Sequence, residues 1–278
     1  EVFGGQYIFN GTSEWLTESC STPGELEKLL DRVERLSTSD LREFILPANW
    51  ESEKKRIFEK YGKKPRTFGG IRGPVTLATS IYGSENLIFL IYDEPDLAKR
   101  FSEAICSVIL KYAEIFIEEA GYTKDNFPHG FGFNDDNCCL LTPDMYELFG
   151  APILKKVFET FSPNPEDRRY QHSDSAMGHI VPILARFNLT GCNFGPTVLI
   201  SHIRKYMKNT TIEGVISPIT FMNNDEKSLV AEVKRDCEMA RENDIRGVNL
   251  NTAGSINDGS RLTSMRLIME TISEYGRY

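Results

Sequence analysis

One feature constrains this chain more than any other: two hydrophobic periods alternate along it. Short strand-like segments end in Gly, Pro, Asp or Asn, and stretches with apolar residues three and four apart lie between them. The strand-like segments are Arg66–Ile71, Gly130–Asn134, Arg169–His172, Gly191–Phe194, Ile212–Ile216 and Gly247–Asn251, with Gln6–Phe9 as a further candidate. The strongest helix is expected from Pro95 to Ala120, where Leu97, Phe101, Ile105, Val108, Ile109, Tyr112 and Phe116 recur at helical spacing. Pro95 suits its first turn and Gly121 its end. Further helices are expected after Thr142-Pro143, after the cap Asp225 and after Ser260. Strands alternating with helices indicate an α/β fold with a parallel sheet. Without a low-complexity linker or a short repeat, residues 1–278 read as one domain.

Composition narrows the class. Lys+Arg 32 against Asp+Glu 40 gives a formal net charge of −8. That balance weighs against a non-specific nucleic-acid binder, which needs a basic face. The longest clean apolar run, Leu87-Ile88-Phe89-Leu90-Ile91-Tyr92, is far shorter than the roughly 20 residues of a membrane helix. The six cysteines form no C-x-x-C pair, which argues against a zinc ribbon and suits reduced thiols in a cytoplasmic protein. N-x-T triplets at Asn10, Asn188 and Asn209 read as chance matches. G-x-G-x-x-G does not follow the first strand and G-x-x-x-x-G-K-[ST] is missing, so nucleotide binding by those loops is disfavoured.

Polar residues follow successive strands: Arg72-Gly73-Pro74, Asn134-Asp135-Asp136-Asn137, Gln171-His172-Ser173-Asp174, Gly195-Pro196, and Asn251 through Ser255. In a (β/α)8 barrel these ends converge on one mouth, where chemistry sits. An open α/β sheet also carries its ligands at strand ends, so the pattern alone leaves both architectures open.

Four segments resemble the uroporphyrinogen decarboxylase superfamily. Gly69 through Ala78 is similar to its Gly-Pro-x-Thr segment, and Leu141 through Tyr146 to its Ser/Thr-Pro-x-x-Tyr helix start. Gly214 through Pro218 is similar to its G-x-[LI]-x-P strand, and Gly247–Ser255 with Tyr275-Gly276 to its last strand and helix. The resemblance implies a (β/α)8 TIM-type barrel. Seven strand candidates and a start at Glu1 give the expectation of a barrel lacking part of its N-terminal region.

The superfamily includes tetrapyrrole decarboxylases, and zinc methyltransferases that move methyl groups between a substrate and a corrinoid protein. The thiol-activating methyltransferases resemble His-x-Cys after one strand and a further Cys after the last. Here the first place reads His172-Ser173-Asp174 and the second Gly254-Ser255. Both thiolates are missing, and the expectation left is a harder N/O site from His172 and Asp174, with Asp135 or Asp136 as a further candidate.

His172 is the first candidate, as metal ligand or proton carrier, with Asp174 beside it as second ligand. Asp135 and Asp136 are candidates for base or ligand, with one of the two facing the mouth. Arg72 is a candidate anchor for a substrate carboxylate, and Asn134, Asn251 and Ser255 are candidate substrate contacts. Against each stands a bland alternative: a structural His at a rim, an Asx turn, a surface salt bridge, a helix cap. The leading expectation is a methyltransferase-like enzyme that demethylates a small compound and passes the methyl to a corrinoid-protein partner, with zinc assisting. The expected partners are that small-molecule substrate, the corrinoid protein and a second copy of the chain, with no nucleic acid and no membrane. The alternatives are a metal-free decarboxylase of a carboxylated tetrapyrrole or related ring, and a non-catalytic small-molecule-binding protein on the same scaffold.

Overall fold

The computed structural model describes residues 1–9, 11, 14–242 and 247–277. The chain divides into two compact units, Glu1–Phe131 with Glu147–Pro163, and Gly132–Tyr146 with Asn164–Tyr278. Among the described residues no helix is long and apolar enough to cross a membrane.

The first unit is mostly helical. Strands β1 (Tyr7–Phe9) and β2 (Glu14–Leu16) pair antiparallel as a two-stranded ribbon. The expected strand at Gln6–Phe9 therefore exists, but in a ribbon and not in a parallel sheet. Asn10 lies outside the described residues. Helix α1 (Pro23–Glu34) opens on a capping box between Thr22 and Glu25, and α2 (Thr38–Ile45) on one between Ser37 and Asp40. Each box satisfies otherwise orphaned N–H groups. Helix α3 (Trp50–Tyr61) stops at Gly62 in the left-handed region.

The stretch Arg66–Ile71 yields only β3 (Ile71–Arg72). Helices α4 (Pro74–Tyr82) and α5 (Ser84–Asp93) follow, divided by Gly83 at φ +86. Helix α6 (Pro95–Glu119) follows the expected apolar face, burying Phe101, Ile105 and Ile109. Phe101 meets Phe3, Tyr82 and Phe149 edge-on at centroid distances of 6.3, 6.4 and 5.7 Å. Helix α7 (Pro143–Phe161) supplies Phe149. At the end of α6 the Glu119 carboxylate is nearly buried and accepts from Arg42, from Trp50 Nε1 at 2.6 Å and from Lys54 Nζ at 2.7 Å.

The second unit carries the sheet. Strands β4 (Phe131–Asn134), β5 (Arg169–His172), β6 (Gly191–Phe194), β7 (Thr211–Ile216) and β8 (Val248–Thr252) lie side by side in sequence order. Strands β5 to β8 pair parallel, with His172 beside Asn193 and Asn193 beside Glu213. Neighbours that follow one another in the chain are the winding of a barrel, and differ from the reversal at the switch point of an open sheet. The connections carry α8 (Val181–Leu184), α9 (Ile200–Tyr206), α10 (Pro218–Met222) and α11 (Glu226–Arg241), and α12 (Leu262–Tyr275) closes the chain. Side chains alternate across the sheet. One face supplies Ile216 to a core with Phe221, Leu229, Val233 and Cys237, onto which Leu250, Met265, Ile268 and Ile272 pack. The other face carries Tyr170, His172, Asn193 and Glu213. That asymmetry sends the apolar residues to the helices and leaves a polar surface for chemistry.

Candidate functional site

The second unit brings three of the candidate residues together. One ligand atom each from Asp136, His172 and Asp174 lies within 4.8 Å of the others. Among the described residues this is the one such group of three His, Cys, Asp or Glu side chains. His172 ends β5, so its ring stands where the strand stops. Asp136 opens a 3-10 turn, Asp136–Leu140, directly after β4. Its Oδ1 lies 3.9 Å from His172 Nε2 and accepts from the Asp174 backbone N–H at 3.2 Å.

The loop after β5 is pinned on every side. The Asp135 N–H donates to the His172 carbonyl at 2.8 Å, and the Ser173 N–H to the Asn193 carbonyl at 3.3 Å. Ser173 Oγ and Ser175 Oγ share a hydrogen bond of 2.6 Å. Two glycines make room. A Cβ on Gly195 would fall 2.3 Å from the Asp174 carbonyl oxygen, and one on Gly254 would fall 2.2 Å from Asp174 Oδ2. Gly254 also sits at φ +103, a conformation that glycine adopts freely. The two places where the methyltransferase pattern has cysteines are thus neighbours here. Asp174 reaches into the space that the missing side chain at 254 leaves.

Electrostatically the group is strained by its own charges. Burial, followed by the nearby Asp174 carboxylate, pushes the Asp136 carboxyl above its usual range, and His172 opposes that. Among the described residues no Lys or Arg pairs with Asp136 or Asp174. A divalent cation would relieve this repulsion, and two carboxylates with an imidazole are ligands that zinc accepts. The residues therefore fit a hard N/O metal site, with Gly254 as the cradle for one ligand. No thiolate joins it. Cys138 is buried, and burial holds its thiol protonated by pushing its pKa far up.

The remaining candidates are not in this group. Asp135, though adjacent to Asp136, is fully buried, near Cys138 and Tyr146. Asn134 is exposed at the end of β4. Asn251 is exposed on β8, donating to the Asn249 carbonyl at 3.2 Å, and Ser255 is exposed beyond it. Arg72 belongs to the first unit, where its Nη1 donates to Ser80 Oγ at 3.0 Å. His179 Nε2 bonds the Leu141 carbonyl and His202 Nε2 the Gly178 carbonyl, both at 2.9 Å, as structural ties.

Tyr170 and Glu213 were missed by motif reading. Tyr170 Oη donates to Glu213 Oε2 at 2.7 Å, on the face that carries His172. Counting back two residues from His172 along an extended strand finds Tyr170, so the signal was there.

Comparison with known proteins bears on the family and the fold. The structure matches a methyltransferase from Methanosarcina mazei with a TM-score of 0.63 at 16% identity, over 99% of this chain and 77% of that one. No curated protein matches the sequence. The family model "Uroporphyrinogen decarboxylase (URO-D)" matches residues 31–275. The sequential strands and this match give the α/β class of the (β/α)8 barrel, and the chain belongs to the uroporphyrinogen decarboxylase family.

Proposed function

We propose that the protein is a metal-assisted methyltransferase that takes a methyl group from a small methylated compound and gives it to a corrinoid carried by a partner protein. Family membership and fold support a methyltransferase-like or decarboxylase-like activity. The observation that carries the choice between them is the Asp136–His172–Asp174 group. Two carboxylates beside one another without Lys or Arg would repel a substrate rich in carboxylates, and would attract a cation.

His172 and Asp174, with Asp136 as third, would hold zinc or a similar divalent ion. When bound, such an ion supplies Lewis acidity at the methyl-bearing heteroatom. The chain's own residues do the positioning. The backbone bonds of Asp135, Ser173 and Asp174 hold the His172 ring and both carboxylates on one side of the strand ends. Gly254 keeps the space beside Asp174 open.

Metal analysis of the purified protein tests the reading. The expected result is near one equivalent of zinc in the wild type, falling to less than about a tenth in His172→Ala. A metal content that is negligible in the wild type and unchanged in the variant would sink it. A corrinoid-protein assay with the same pair then tests methyl transfer, which is expected to disappear with the metal.

A further inference from the structure

We infer that Glu213, Tyr170 and Asn193 form a recognition strip for a protonated amine, so that the methyl donor carries an ammonium group apart from the heteroatom that bears its methyl. This rests on the methyltransferase reading and names its substrate class.

Position comes first. His172, Asn193 and Glu213 are successive partners in register across β5, β6 and β7. Strands are spaced by about 4.8 Å, so Glu213 stands roughly 10 Å from His172 on the same face. A ligand that carries its ammonium group several bonds from the methyl-bearing heteroatom would span that distance.

Chemistry comes second. Glu213 is half-buried, and among the described residues its side-chain partner is the Tyr170 hydroxyl, with no Lys or Arg paired to it. Between Glu213 and His172 lies Asn193, which is 5% exposed and whose Oδ1 has no hydrogen-bond partner. A buried carbonyl oxygen left unpaired costs free energy unless a ligand donates to it. The strip therefore offers a carboxylate and a buried amide whose oxygen is unpartnered, while the Tyr170 hydroxyl already donates to Glu213. The carboxylate, to which no Lys or Arg is paired among the described residues, selects a ligand with N–H groups and positive charge. An anionic substrate would meet the Glu213 charge, and a neutral ether or thioether leaves both acceptors unpaired.

The backbone is shaped around these side chains. Gly191 leaves room for the Tyr170 ring, because a Cβ there would fall 3.2 Å from Tyr170 Cδ2. Gly214 leaves room for Asn193, because a Cβ there would fall 2.6 Å from Asn193 Nδ2. Gly214 and Val215 follow Glu213 at φ +84 and +63. A β-branched residue in that region is a costly conformation, of the sort that folds keep at functional sites.

Calorimetric titration of chelator-treated protein with dimethylammonium chloride tests the inference without requiring turnover or metal. Dimethyl sulfide and acetate are the neutral and anionic controls. The expected result is saturable binding of dimethylammonium, with the controls weaker by about tenfold or more. Glu213→Gln keeps the size of the side chain and is expected to lose about tenfold in affinity with zinc content unchanged. Tyr170→Phe should lose less, and His172→Ala should still bind the amine. No binding by the folded wild type, equal binding of the three probes, or a Glu213→Gln isotherm identical to the wild type would overturn it. The two readings fail separately. Amine binding that depends on Glu213 in a protein that takes no zinc would leave the strip standing and remove the metal site.

Discussion

Two carboxylate clusters in this molecule are built in opposite ways. Glu119 in the first unit is nearly buried and faces Arg42, Lys54 and the Trp50 N–H, so its charge is answered several times over. Those partners outweigh burial and draw its pKa below the usual value. Asp136 and Asp174 in the second unit face one another beside His172, with no Lys or Arg paired to them among the described residues, and Asp136 is pushed up. The first arrangement is complete and ties α2 and α3 to the end of α6. The second leaves two carboxylates with no paired Lys or Arg among the described residues. The difference separates a carboxylate that holds a fold together from a pair whose charge is unanswered, the arrangement on which the proposed metal site rests.

Breaking each cluster should have opposite effects. Glu119→Ala leaves Arg42 with Glu118 and Lys54 with Glu51 alone and strands an indole N–H, and a loss of about 1–3 kcal/mol is expected in urea unfolding. Gly254→Ala leaves all three candidate ligands in place but drives a methyl group into Asp174. Zinc affinity measured by chelator competition should fall by about 100-fold, the scale seen when a ligand loses its support.

Asp236 sharpens the comparison as an intermediate case. It is 1% exposed on α11, and Arg235 Nε and Nη2 both reach its Oδ1 at 2.8 and 2.7 Å while Oδ2 stays without a partner. Burial raises its pKa to about 6 despite Arg235. The folded state therefore binds more protons than the unfolded state between the unfolded pKa, near 3.9, and that value. Stability contributed by this group is present at low pH and falls as pH rises through the window. Relative to wild type, Asp236→Asn should gain about 2 kcal/mol between pH 4 and pH 7. Paired urea titrations at the two pH values measure this. The smallest effect is Asp136→Asn in metal-free protein. Removing one of two facing carboxylates should stabilise it by about 0.5–1 kcal/mol after allowance for solvent screening. A loss on the scale of Glu119→Ala would instead make the second cluster a structural one.

Much of this was legible in the sequence, for physical reasons that differ by element. Helix α6 has a long, clean apolar face and a proline at its start, so its bounds follow directly. Asp225 announces a helix because its side chain accepts from the N–H group three residues on, whereas Ser217 caps in the same way a helix that the sequence reading did not anticipate. Helices α4 and α5 were not legible. The run Leu87–Tyr92 is apolar all round, and without a polar face it carries no period. At the site, His172 and Asp174 could be paired because residues two apart in extended backbone share a side. The choice between Asp135 and Asp136 could not be made. A 3-10 turn begins between them and sends one carboxylate inward and the other to the mouth, and no residue pattern marks that turn. The role of Gly254 was equally hidden, because it rests on contact with Asp174 far away in the chain.

The most direct test of the central claim is a calorimetric zinc titration of the wild type beside Asp136→Asn, His172→Ala, Asp174→Ala and Asp135→Asn. The account predicts one site in the wild type, lost in His172→Ala and Asp174→Ala, weakened in Asp136→Asn, and kept in Asp135→Asn. No zinc binding by the wild type, or an isotherm that none of the first three variants changes, would contradict it.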